Sequence, residues 1–175
     1  MDELKTYFLN PGYIFASQEP HLIHTVLGSC VAVCLWDSHH HYGGICHYIL
    51  SKSDKWERSG KYGEVAIPHL IRLMLEMGST KATLKAHIVG GGDNANFHSK
   101  VGEENAELAD KLLKKNQLEV LTRDVKGQFG RKIIFNSGSG EILIYKINDI
   151  RSDDWYDSKG LRNEGDKNRS SNSFR

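Results

Sequence analysis

The chain has 175 residues, 39% of them hydrophobic and 26% charged, with a formal net charge of +1 at neutral pH. That length suits one compact domain burying well over half of its unfolded surface, and the near-neutral balance excludes the single-signed field by which proteins hold nucleic acid or an acidic membrane. No run approaches the roughly eighteen apolar residues of a membrane span, and the start, MDELKTYFLN, lacks the basic head and apolar core of a signal peptide. The chain therefore reads as a cytoplasmic protein without membrane insertion, in which an odd count of three cysteines stays reduced.

Taken in order, residues 11–16 and 21–27 are short, rich in aromatic and branched side chains and parted by Gln18-Glu19-Pro20, which predicts two strands. Residues 30–36 are apolar on both alternating faces, as in a strand covered on two sides. Asp37-Ser38-His39-His40-His41 breaks that pattern and residues 43–50 resume it, which predicts a β-hairpin; with no Asn-Gly or Asp-Gly at the turn, its register is open. Residues 51–63 read as a surface loop holding Trp56 and Tyr62. Val65, Ile67, Leu70, Ile71, Met74, Leu75 and Met77 then recur at helical spacing, with Gly78 placed to end the helix and Pro68 compatible only with its first turn. Residues 81–89 predict a strand running into Gly90-Gly91-Gly92, and residues 103–116 a second helix with Ala106, Ala109, Leu112 and Leu113 as its apolar stripe. Strands at 118–123, 131–136 and 141–147 complete an α/β (α+β) domain over residues 1–148. Residues 149–175 are too polar to bury what ordering would cost and predict a disordered tail.

The chemistry concentrates in residues 24–50, which carry all three cysteines and five of the nine histidines. A hairpin turning near residues 38 and 39 would set Cys30 opposite His47, with Cβ atoms about 5 Å apart. A cysteine beside an imidazole can lose its proton to it and become a nucleophile, with the imidazole as general base and later acid. Gly28 and Ser29 would let the backbone turn sharply and direct amide N–H groups at a developing oxyanion. The same pair also fits a buried thiol beside a satisfied core histidine. A zinc site would use Cys34, Cys46, His39, His40, His41 and His47, yet no CxxC or HxxxH pair supplies the usual spacing. Cys34 and Cys46 read as packing residues and the three histidines as a solvated turn. Gly90-Gly91-Gly92 lacks the GKS, GKT or GxGxxG context of a phosphate loop and reads as a tight turn or as backbone passing close to the site.

Leu27-Gly28-Ser29-Cys30-Val31-Ala32-Val33-Cys34-Leu35-Trp36-Asp37, Gly43-Gly44, and His47 seventeen residues after Cys30 together resemble the chemoreceptor glutamine deamidase family CheD. Lys61-Tyr62-Gly63, Ala86-His87-Ile88-Val89-Gly90-Gly91-Gly92, Val101-Gly102-Glu103-Glu104-Asn105 and Gly130-Arg131 follow in that family's order, so the resemblance covers about residues 10–147. It implies mixed β-sheets packed together with helices outside, related to toxin deamidases. Cys30 would be the nucleophile and His47 its base, hydrolysing receptor glutamine side chains to glutamate through a thioester with no cofactor and no metal. The family pattern places a histidine-orienting threonine six residues before the cysteine, where this chain has His24; Thr25, five before, is the candidate. Ser51 stands where the family commonly has proline. Methyl-accepting chemotaxis receptors are the implied substrates and the phosphatase CheC an implied partner, with Trp56 and Tyr62 as expected docking residues. The alternative is a module that binds and regulates CheC without catalysing anything.

Overall fold

The structure is a computed structural model that describes residues 4–55, 57–93 and 100–148. The 149–175 tail and Trp56 lie outside those residues. In chain order the elements are β1 (Lys5–Phe8), β2 (Ile14–Ser17), β3 (His21–Leu27), β4 (Val31–Asp37), β5 (Tyr42–Tyr48), α1 (Gly63–Glu76), β6 (Leu84–Gly90), α2 (Val101–Lys115), β7 (Glu119–Val125), β8 (Gly130–Asn136) and β9 (Ile142–Ile147). They form two mixed sheets, one ordered β1-β3-β8-β9 and the other β2-β5-β4-β6-β7.

The period-two alternation of β4 explains the layering. Val31, Val33 and Leu35 point to one face, where they pack with Ile67, Leu70 and Met74 of α1 and Ala106, Ala109 and Leu113 of α2. Ala32 and Cys34 point to the other, where they meet Ile23, Leu27, Ile133 and Phe135 of the four-stranded sheet. β4 is thus buried on both faces, which is why its sequence is apolar throughout. The molecule is a stack of sheet, sheet and helices, the α+β arrangement expected of the chain.

Three differences from the sequence reading have physical causes. β1 was not anticipated: its Lys5, Thr6 and Tyr7 are exposed, so the strand shows no apolar period and is held by parallel pairing with β3. Pro68 is the sixth residue of α1, past the first turn, because the helix begins at Gly63, whose bare Cα lies against the ring of Tyr48 and Leu108. Pro68 lies on the exposed side of that helix, and its missing N–H leaves the Glu64 carbonyl without the usual i+4 donor. The hairpin of β4 and β5 turns one residue later than expected, pairing Ala32, not Cys30, with His47. Asp37 fixes the turn: its Oδ1 accepts from the amides of His39 (2.8 Å) and His40 (2.9 Å), and its Oδ2 lies 3.0 Å from His40 Nδ1. Among the described residues no helix is long and apolar enough to cross a membrane.

Candidate active site

His47 is the second-last residue of β5 and faces the space between the sheets, on the same side as Ile45 and as Ala32 across the ladder. Cys30 immediately precedes β4 and packs against that same inter-sheet cluster. A turn displaced by one residue shifts the pairing by two, and a shift of two preserves the face. Cys30 and His47 are therefore diagonal neighbours on one surface, a spacing of about 7–8 Å between Cα atoms that an imidazole can bridge.

The opposite wall supplies the third group. Ile23, Thr25 and Leu27 alternate inward along β3, so Thr25 meets β5 across the sheets while His24 turns away and packs on Phe8. Thr25 Oγ1 lies 2.8 Å from His47 Nδ1 and donates to the Leu9 carbonyl at 2.8 Å. A carbonyl can only accept, so the one hydroxyl proton is committed to Leu9 and Nδ1–H must donate to Thr25. That assignment puts the proton on Nδ1 and leaves Nε2 as the basic nitrogen. The segment joining β1 to β2 completes the support, because Gly12 N–H donates to the His47 carbonyl (2.7 Å) and His47 N–H to the Tyr13 carbonyl (3.1 Å).

Burial dominates the electrostatics. It pushes the Cys30 thiol up to about 11, with a smaller opposing contribution from its own backbone N–H. It lowers His47 to about 3. Both groups are neutral at physiological pH, so the resting site holds a thiol and an imidazole, not the ion pair that proximity alone suggests. Cys34 and Cys46 are fully buried on opposite faces of the sheet; burial raises both thiols, Cys46 to about 12. His39, His40 and His41 sit exposed on the turn.

Backbone around Cys30 is tightly held. Gly91 N–H donates to the Cys30 carbonyl (2.8 Å) and Gly92 N–H to the Gly28 carbonyl (2.9 Å). Gly90, at φ +118°, passes so close that a Cβ there would collide with the Cys30 carbonyl oxygen. The triple glycine is thus backbone lying along the Cys30 segment. Asn105 Nδ2 donates to the carbonyls of Ser29 (3.0 Å) and Ile49 (2.8 Å). Sequence reasoning assigned no role to Leu9 or Asn105. A backbone carbonyl leaves no signal, but Asn105 had one: it is a polar residue on the buried stripe shared by Gly102, Ala106, Ala109 and Leu113. Tyr62 is half-buried beyond β5, bridging to Leu50 and donating from Oη to Glu57 Oε2 (3.1 Å).

Fold and site together define a class: a two-sheet, two-helix α+β domain with a cysteine, a histidine and a threonine gathered at one end of the inter-sheet space. The family model for CheD, described as CheD chemotactic sensory transduction, matches residues 49–146. A protein of Trichlorobacter lovleyi named "probable chemoreceptor glutamine deamidase CheD" is 39% identical over 148 residues, covering 81% of this chain and 90% of its own. A similarly named protein of Anaeromyxobacter dehalogenans is 40% identical over 143 residues, with 80% and 84% covered. One of Sulfurimonas denitrificans is 35% identical over 150 residues, with 81% and 94% covered. The chain belongs to the CheD family.

Proposed function

We propose that this protein deamidates glutamine side chains of chemotaxis receptors, with Cys30 as nucleophile, His47 as general base and acid, and Thr25 orienting the imidazole. The observation that carries this reading is the hydrogen bond from His47 Nδ1 to Thr25 Oγ1, which leaves Nε2 basic on the face shared with Cys30. Because both partners are neutral at rest, proton transfer from Sγ to Nε2 accompanies attack of sulfur on the carboxamide carbon. The tetrahedral oxyanion collapses as the imidazolium gives its proton to the departing nitrogen, releasing ammonia and leaving a thioester. Nε2 then takes a proton from water, whose oxygen attacks the thioester carbon; the proton returns to sulfur, and glutamate leaves. No redox step or exogenous group is needed to balance the reaction.

A protein substrate suits the rim. Tyr13 (61% exposed), Leu50 (40%) and Phe129 (45%) are large apolar side chains left in water around this end of the molecule. Tyr13 is bonded to His47 through the backbone, Leu50 follows β5, and the Phe129 carbonyl faces Gly92. With Tyr62 and Trp56 of the adjoining loop, these residues offer a docking surface for the receptor, and CheC would compete for the same rim.

The test is to incubate the protein with the cytoplasmic fragment of a chemoreceptor and follow glutamine-to-glutamate conversion by mass spectrometry. Cys30→Ala and His47→Ala should abolish conversion. Thr25→Val should lower kcat by about tenfold to a hundredfold, since it removes the acceptor that holds the Nδ1–H tautomer. Conversion persisting in Cys30→Ala would overturn the mechanism. Receptor or CheC binding without conversion by the wild type would point to the non-catalytic module.

A further inference from the structure

Asn105 is fully buried on α2, yet it sits where the helix stripe calls for an apolar residue. Both Nδ2 protons are used, on the Ser29 and Ile49 carbonyls, while its Oδ1 is buried without a hydrogen-bond partner among the described residues. An orphaned buried acceptor is costly, so the side chain is oriented by the two bonds it donates. Those bonds reach the residue directly before Cys30 and the residue two after His47. One helix side chain therefore ties the approach to β4 to the exit from β5, at the ends that carry the pair. Its own backbone carbonyl is held by the Tyr48 hydroxyl at 2.5 Å, and α2 is anchored at its start by Asp93, which accepts from the amides of Gly102 and Glu103.

The consequence follows from peptide geometry. A trans peptide is planar, so its carbonyl and the next residue's N–H point in opposite directions. With the Ser29 carbonyl drawn toward α2, the Cys30 N–H is turned away from α2. Sγ lies on that side too, because Cys30 packs against the inter-sheet cluster, across the sheet from the face that α2 covers. A carbonyl carbon attacked by that sulfur would develop its negative oxygen within range of this amide. We infer that Asn105 is a positioning residue for the deamidation step, holding the Ser29–Cys30 peptide so that the Cys30 N–H serves as an oxyanion donor. The inference rests on the proposed deamidase reading and extends it from the nucleophile to stabilisation of the transition state. Gly92, bonded to the Gly28 carbonyl, fixes the preceding peptide in the same manner.

The experiment compares wild type with Asn105→Ala and Asn105→Asp. Asn105→Ala should lower kcat for receptor-fragment deamidation by about tenfold to a hundredfold with KM little changed, because a misplaced oxyanion donor weakens the transition state alone. Alkylation of Cys30 by iodoacetamide, a displacement that forms no oxyanion, should change by less than about threefold. Asn105→Asp preserves shape, and burial beside two carbonyls favours its protonated form, which keeps one donor. Its kcat should lie between the other two and fall as pH rises and the carboxyl ionises, a profile that a packing role would not produce; this variant also serves should Asn105→Ala fail to fold. An unchanged kcat at temperatures below unfolding would overturn the inference, as would alkylation falling in step with kcat. If wild type converts no receptor glutamine although Cys30 alkylates normally, the deamidase reading fails by itself. The clamp is then judged by the Cys30 amide resonance in a 1H–15N spectrum, and an unmoved resonance in Asn105→Asp overturns it too.

Discussion

A thiol held near 11 and an imidazole held near 3 are too far apart to exchange a proton while the site is at rest. Cys30 is therefore unlike cysteines whose thiolate is stabilised by a neighbouring cation or a helix N-terminus. Its reactivity toward iodoacetamide should rise about tenfold per pH unit from about pH 7 to 10, following the thiolate fraction. Cys34 and Cys46, fully buried, should remain unlabelled in the native protein and serve as internal controls. A rate already level below pH 8 would show that the resting pair is ionic. That Cys30 and His47 share a face was legible in the sequence from their spacing, because the two-residue slip in register left that face unchanged. The contact of Thr25 with His47 was expected through the family resemblance alone, not from the residue pattern. It joins strands of different sheets, and its direction depends on the Leu9 carbonyl, which any residue at position 9 would supply.

Among the elements, those with strong periodicity were the readable ones. β4 and both helices announced themselves through apolar spacing, whereas β1 carries exposed residues and owes its existence to a neighbour. The turn between β4 and β5 was misplaced by one residue because an Asp37 carboxylate, rather than a glycine pair, sets its length. Gly90-Gly91-Gly92 resolves into backbone packed on backbone. Gly90 is the position with least tolerance, since its φ of +118° excludes side chains and its Cα faces the Cys30 carbonyl. Gly90→Ala should destabilise the fold by more than about 2 kcal/mol in urea titration. It should also lower activity in the fraction that remains folded, because relief of the collision must displace Cys30. Full activity with an unchanged urea midpoint would show that the Gly90 backbone can move without disturbing Cys30.

At the scale of the whole molecule, the buried histidines make stability depend on pH. Burial lowers His47 to about 3 and moves His87 in the same direction, against a smaller opposing effect of its hydrogen bond to the Gly140 carbonyl. Each binds its proton more weakly folded than unfolded, so the unfolded chain gains protons first as pH falls. The stability tied to His47 is fully present above about pH 6.5 and is lost as the pH falls toward about 3, at about 1.4 kcal/mol per pH unit for one proton. Urea midpoints measured from pH 7 to 4 should decline, and His47→Gln should flatten the decline; an equal slope in that variant would mean that other groups govern it. Peroxide oxidises thiolate and scarcely touches thiol, so on the proposed mechanism Cys30 should survive oxidant concentrations that convert low-pKa cysteines to sulfenic acid, and receptor deamidation should persist after such treatment.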